Sequence, residues 1–258
     1  MNDSMNRQRG LTLIELVVVL TILVALGGIA AATLPNMLNR THVATVATSL
    51  PTIDATIRQN VMLNSGQVGN RFDSLVTASG QPASFVNASG AYASYALAGN
   101  DASALNDLGI SQLIPADDSA TAGGENATFL GHRGTAANVA TGTNVCTLTL
   151  GASGSAPGIL NDVWNYTPQT GAQYIVLGLG EQCSLVGANE GAFFSEAPLH
   201  AVDAHSERAD NAYARILVVI ELTDAGTANS EARYIGVGAP HPDGVQGVAT
   251  HLQEWYGS

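Results

Sequence analysis

The sequence R-G-L-T-L-I-E-L, residues 9–16, opens a long apolar run that decides how the chain is organised. A short polar segment precedes it, with Arg7 and Arg9 near its end. As a helix, the 24 residues 11–34 would extend over roughly 36 Å, enough to cross a bilayer core of about 30 Å. We therefore predict a transmembrane helix over residues 11–34. The preceding arginines place its N-terminus in the cytoplasm.

One charged residue, Glu15, interrupts this apolar run. An ionised carboxylate near the middle of a bilayer is costly, and such residues are usually functional. Glu15 would lie only about 6 Å below Leu11 along a helix, so its carboxylate can reach the membrane interface. The sequence thus singles out Glu15 as a residue that some state of the protein requires.

Residues 9–16 closely resemble the processing site of type IV prepilins and type II secretion pseudopilins, and the resemblance extends over roughly the first 55 residues. In that family a prepilin peptidase cuts after a glycine, here Gly10. It then methylates the new N-terminal residue, here Leu11, where phenylalanine is commoner. The resemblance further implies that Glu15 is the assembly glutamate, which pairs in the filament with the amino group of Leu11 on a neighbouring subunit.

Two other interpretations of the N-terminus compete with this one. An ordinary secretory signal could be cleaved near Ala30–Ala32, which fits the small-residue rule. Glu15 and the length of the apolar run count against it. A plain single-pass anchor would leave Glu15 unexplained.

The charge balance excludes one class of partner. The chain has 9 basic and 21 acidic residues, and all the basic ones are arginine. Nucleic-acid binding requires a basic surface, so we expect no nucleic-acid partner. We also expect no cofactor.

After the apolar run, the pattern predicts an amphipathic helix over residues 35–65. Apolar or small residues recur there every three or four positions, and Asn64-Ser65-Gly66 is a typical helix end. Pro35 is expected to end or kink the apolar helix, and Pro51 to kink the amphipathic one or begin a second segment.

The remaining residues, 66–258, are predicted to form a globular domain outside the membrane. Strand patterns cover residues 145–150, 173–179, 214–222 and 232–237, and the last two are expected to form a hairpin. Residues 78–143 indicate loops with short elements, one of which is a helix over residues 102–108 capped by Asp101. We therefore predict an α+β fold in which a long N-terminal helix packs on a C-terminal antiparallel sheet, as in pilins.

Cys146 and Cys183 lack the spacing of a zinc or redox motif. If the domain is exported, a disulfide between them is expected, whereas in the cytosol they would be two buried thiols. Because the arginines before the apolar run place the domain outside the cytoplasm, we predict that they form a disulfide.

We identify no catalytic constellation and predict that the protein is not an enzyme. The sequence contains no G-x-S-x-G, H-E-x-x-H, P-loop or EF-hand pattern. His200, Asp203 and His205 are close in sequence, but such clusters in loops are usually solvated, so we predict no metal site.

These features predict a structural subunit of a type IV pilus-like or type II secretion pseudopilus filament. We expect a cleaved leader over residues 1–10, storage in the inner membrane, and assembly with other pilin subunits into a periplasmic or cell-surface filament. One alternative is a minor or tip subunit that acts as an adhesin or binds cargo. A secreted enzyme behind an ordinary signal peptide is the other.

Overall fold

The structure is a computed structural model. It describes residues 13–77, 80–81, 92–116, 135–149, 160, 164–187, 192–198, 215–241 and 244–246; the side chains of residues 29–48 and 240–246 are outside this description. The chain divides into two compact units, residues 1–41 and 42–258. In the first unit the described backbone is helical. The second unit contains all the strands, so the fold is α+β with an N-terminal helix and a C-terminal sheet.

Two helices and nine strands occur in the described residues. The helices are α1 (Leu13–Leu63) and α2 (Asp101–Asp107). The strands are β1 (Phe72–Thr77), β2 (Tyr92–Ala96), β3 (Gln112–Ala116), β4 (Ala137–Asn138), β5 (Asn144–Leu148), β6 (Gln173–Gly178), β7 (Leu217–Thr223), β8 (Glu231–His241) and β9 (Gly244–Gln246).

The strands form a mostly antiparallel sheet in the order β4-β3-β1-β6-β7-β8-β9. Strand β5 pairs with β6 on the same edge as β1, and β2 pairs with β5 on its other side. Among the strands that the structure describes, β1 and β3 are the only parallel pair. Strands β5 to β8 confirm the four predicted strand regions, and β7 and β8 form the expected antiparallel hairpin.

Both faces of the sheet are covered by apolar side chains. On β6, Ile175 and Leu177 lie in one core cluster, whereas Tyr174 and Val176 lie in another. Since alternate residues of a strand point to opposite faces, the two clusters lie on opposite sides of the sheet. We call the first the helix-side core, because it includes side chains of both helices, and the second the far-side core.

The C-terminal turns of α1 contribute to the helix-side core. Leu50, Ile53 and Ile57 recur at helical spacing and are at most 5% exposed. Val61, one turn further, packs against the same cluster. These residues belong to the apolar periodicity that predicted an amphipathic helix over residues 35–65, and their burial ties this part of α1 to the sheet.

Polar contacts fix α1 against strand β8 as well. The β7–β8 register pairs Ile220 with Tyr234 and Val219 with Gly236, so a β-bulge leaves Ile235 unpaired in the ladder. The Ile235 carbonyl accepts a hydrogen bond from Arg58 Nη2 at 2.8 Å. The helix side chain therefore satisfies a backbone group that the bulge released.

The predicted cap of the short helix is wrong in detail. Helix α2 begins at Asp101, and the residue before it, Asn100, makes no side-chain capping bond. The fully buried Asp101 carboxylate instead accepts hydrogen bonds from the Tyr95 hydroxyl (2.7 Å) and from the backbone N–H groups of Ala98 (3.0 Å) and Gly226 (2.8 Å). Burial tends to raise the pKa of Asp101, but hydrogen bonding to its carboxylate outweighs burial and the pKa is lowered. Asp101 thus joins β2 to the β7–β8 loop.

Within the part of the chain that the structure describes, no helix combines the length and apolarity needed to cross a membrane.

Candidate functional site

The predicted processing residues, Gly10 and Leu11, lie outside the described residues. Helix α1 begins just after them, at Leu13, and Glu15 lies in its first turn with an exposed side chain. A carboxylate is favourable at that position, because the first turn carries the positive end of the helix dipole.

The first turns of α1 expose an unusually apolar surface. Large apolar side chains between Leu13 and Leu26 are each 50–83% exposed. The polar group of Thr21 is satisfied within the helix, since its hydroxyl donates to the Val17 carbonyl at 2.8 Å. Apolar surface of this kind is usually covered by other apolar groups.

The predicted disulfide between Cys146 and Cys183 is not formed: the structure contains both as free, buried thiols. Cys146 lies in the far-side core and Cys183 in the helix-side core, so the sheet separates their surroundings. The sequence could not reveal this, because the face on which each side chain lies depends on the strand pairing.

The two thiols are expected to be unreactive in the folded protein. Burial raises the pKa of Cys183 to about 12 and that of Cys146 further still, and the thiolate is the reactive form. A thiol reagent at pH 8 should therefore label the native chain negligibly and label both cysteines after denaturation without reductant. Mass spectrometry of the labelled chain measures this. If the denatured, unreduced chain took up no label, the result would show that the two cysteines form the predicted disulfide.

A buried polar cluster lies on the far side of the sheet. Glu221 is fully buried, and its carboxylate accepts hydrogen bonds from the hydroxyls of Tyr166 (2.9 Å) and Tyr174 (2.8 Å). Arg233 forms a salt bridge with the same carboxylate, donating from Nε at 2.8 Å and also from Nη2. Tyr174, Glu221 and Arg233 stand side by side on β6, β7 and β8. We call Glu221, Tyr166, Tyr174 and Arg233 together the Glu221 cluster.

The Glu221 cluster contains the types of residue found in catalytic sites, but a substrate could not reach its carboxylate. Its carboxylate has no exposed surface and is bound by two hydroxyls and a guanidinium, so it has no open side for a substrate. Burial is the main cause that raises the pKa of Tyr174, so this hydroxyl remains a hydrogen-bond donor. The cluster links three neighbouring strands of the sheet, β6, β7 and β8.

Sequence reasoning missed this cluster, although a signal for part of it was present. Glu221 and Arg233 lie at nearly symmetrical positions on either side of the predicted hairpin loop, where opposite charges are expected to face each other across the strands. Nothing local indicated the contributions of Tyr166 and Tyr174.

The other candidate ligand residues, His200, Asp203 and His205, lie outside the described residues. Among the residues that are described, no group of three or more His, Cys, Asp or Glu side chains could hold a metal ion.

Comparison with protein families identifies the class of the N-terminal segment. Residues 5–31 match the family model of the prokaryotic N-terminal methylation motif, which is the cleavage motif of type IV prepilins and pseudopilins. The match includes Gly10, Leu11 and Glu15. The chain thus carries a prepilin-type processing motif, as its sequence predicted. No curated protein and no solved structure matches the chain.

Proposed function

We propose that this protein is a structural subunit of a type IV pilus-like or type II secretion pseudopilus filament. The observation that carries the proposal is the methylation motif at residues 5–31. Proteins with this motif are structural rather than catalytic, and an α+β domain behind an N-terminal helix agrees with that role.

In this proposal the N-terminal helix has two successive environments. The subunit is first stored in the inner membrane, where lipid surrounds the apolar side chains of residues 13–26. Assembly with other pilin subunits then replaces the lipid by neighbouring helices. The exposure of these side chains supports such packing, since each offers apolar surface to a partner.

The proposed role of Glu15 follows from the same change of environment. A carboxylate that leaves the membrane interface for an apolar filament core requires a cationic partner. Processing after Gly10 would create one, because it frees the amino group of Leu11. We therefore propose that Glu15 pairs with the Leu11 amine of a neighbouring subunit.

Processing gives the most direct test of this function. We expect cleavage between Gly10 and Leu11 by a prepilin peptidase, giving a mature chain that begins with methylated Leu11. Intact-mass measurement of protein purified from its native membrane should show the loss of residues 1–10 and the addition of one methyl group. Gly10→Val, which blocks access to the peptide bond with a branched side chain, should leave the full-length chain.

The outcome that contradicts the proposal is equally specific. A mature chain beginning near Thr33 would indicate an ordinary secretory signal peptide, whereas an uncleaved native chain would indicate a plain membrane anchor.

A further inference from the structure

An open cleft of about 500 Å³ lies at the C-terminal end of α1. Its walls come from α1, the α1–β1 connection, the end of α2 and the turn after β6. Five carboxamide side chains line it: Asn60, Asn64, Gln67, Asn70 and Asn106. We call it the amide cleft.

None of the described residues that line the amide cleft is charged or aromatic. Its remaining polar side chains are the hydroxyls of Ser111 and Ser184, and its only large apolar side chain is that of Leu185, which is 3% exposed. In a chain with a net charge of −12, a pocket without a basic residue does not favour an anionic ligand. A lining whose exposed surface is mostly polar does not favour a lipid or an aromatic ligand.

Part of this lining is held rigidly by hydrogen bonds. The Asn70 side-chain carbonyl accepts from the backbone N–H groups of Ser111 (3.1 Å) and Gln112 (2.8 Å), and its amide donates to the Ser111 hydroxyl (2.8 Å). Asn60, only 3% exposed, donates from its side-chain amide to the backbone carbonyl of Gln67 at 3.1 Å, and its side-chain carbonyl accepts from the Asn64 side-chain amide. The walls are therefore ordered before any ligand arrives, which lowers the entropy cost of binding.

Other groups of the amide cleft are available to a ligand. Within the described residues, the side chains of Gln67 and Asn106 make no hydrogen bond, and both are exposed. Each carboxamide offers two N–H donors and a carbonyl acceptor. The cleft thus offers neutral donors and acceptors, the kinds of group that bind the hydroxyl groups of a sugar.

We propose that the amide cleft binds a neutral saccharide, one or two sugar units in size. The volume lies within the range of small-ligand sites, roughly 300–1,000 Å³. Since no aromatic ring is present for a sugar to stack on, binding depends on hydrogen bonds and is expected in the millimolar range. This inference is independent of the proposed filament role, because every lining residue belongs to the globular unit.

Saturation-transfer NMR on the full-length chain in detergent micelles tests this site. The probes are glucose, galactose, mannose, N-acetylglucosamine and maltose, with glucuronate as a charged comparison. At least one neutral sugar should bind saturably, and glucuronate should bind more weakly than glucose. The double variant Gln67→Ala/Asn106→Ala should weaken binding about fivefold or more. It removes no hydrogen bond of the described fold.

The matched control is Asn229→Ala, which truncates an exposed asparagine in the β7–β8 loop, outside the cleft. This variant should bind the sugar as the wild type does. Absence of binding by all five neutral sugars would overturn the proposal. So would binding that the double variant leaves unchanged, since the sugar would then occupy another surface.

Discussion

Glu15→Leu is expected to enter the membrane and to be cleaved after Gly10, yet to be nearly absent from filaments. The leader and the cleavage residues are unchanged in this variant. Removing a charge from the apolar segment should make membrane insertion easier rather than harder. Only assembly is expected to fail.

The reason lies in the charge that the substitution leaves behind. In the proposed filament, the Leu11 amine of one subunit enters an apolar core and pairs with Glu15 of a neighbour. Without Glu15 that amine is buried unpaired, at a cost of about 3–5 kcal/mol at each interface. Because every added subunit repeats the interface, a cost of this size blocks growth.

The measurement is the amount of the variant in sheared filaments relative to the membrane pool. Glu15→Gln separates charge from size: it should also assemble poorly, since the amide is neutral. Thr21→Val is the matched control, because it also removes a polar group from this helix. The Thr21 hydroxyl makes only one described hydrogen bond, to the Val17 carbonyl of the same helix. Incorporation of Glu15→Leu equal to the wild type would remove the assembly role from this residue.

Arg233→Met is expected to lower the free energy of unfolding by about 3 kcal/mol, because Glu221 would stay buried without its cationic partner. This value is at the low end of the destabilisation expected when a buried ion pair is broken, about 3–5 kcal/mol. The reason is that the Arg233 side chain is 50% exposed, whereas Glu221 is not exposed at all. The hydroxyls of Tyr166 and Tyr174 would still bind the carboxylate and limit the loss.

A double-mutant cycle with Glu221→Gln isolates the ionic contribution. The double variant should be less destabilised than the sum of the single variants, because the neutral amide has no charge to leave unpaired. Chemical denaturation, followed by tryptophan fluorescence, measures the free energy of unfolding of the single and double variants. Arg71→Met is the matched control: this exposed arginine donates to the neutral Gln112 side chain, and its loss should change stability by less than about 0.5 kcal/mol. Additive effects in the cycle would show that Arg233 acts by packing alone.

Local patterns in the sequence were sufficient for part of the sheet but not for all of it. Strands β5 to β8 are rich in Val, Ile and Leu, and turn residues bound them, so period and composition identified them. Strands β2 (Y-A-S-Y-A) and β3 (Q-L-I-P-A) carry small residues and a proline, and their region was predicted as loops with short elements in which no strand was assigned. Pairing with neighbours makes them strands, which is a tertiary effect that outweighs weak propensity.

Strand β1 shows the same limit. It contains Asp73, which is buried, and Leu75, whose φ of 58° is unfavourable for a residue with a side chain. The β1–β3 register shifts between Asp73 and Thr77. Such an irregularity interrupts the regular alternation of side chains along the strand, so the sequence does not show the period of two by which strands are recognised.

The sequence by itself determined the N-terminal motif, because the peptidase substrate is a contiguous stretch in which order and spacing are the whole signal. It also determined the apolar stripe of Leu50, Ile53 and Ile57, since helical spacing is local. Only the tertiary structure placed Cys146 and Cys183 on opposite sides of the sheet and gathered Tyr166 and Tyr174 around Glu221. Those arrangements depend on which strands pair and in which register, and contacts between residues far apart in the chain decide both.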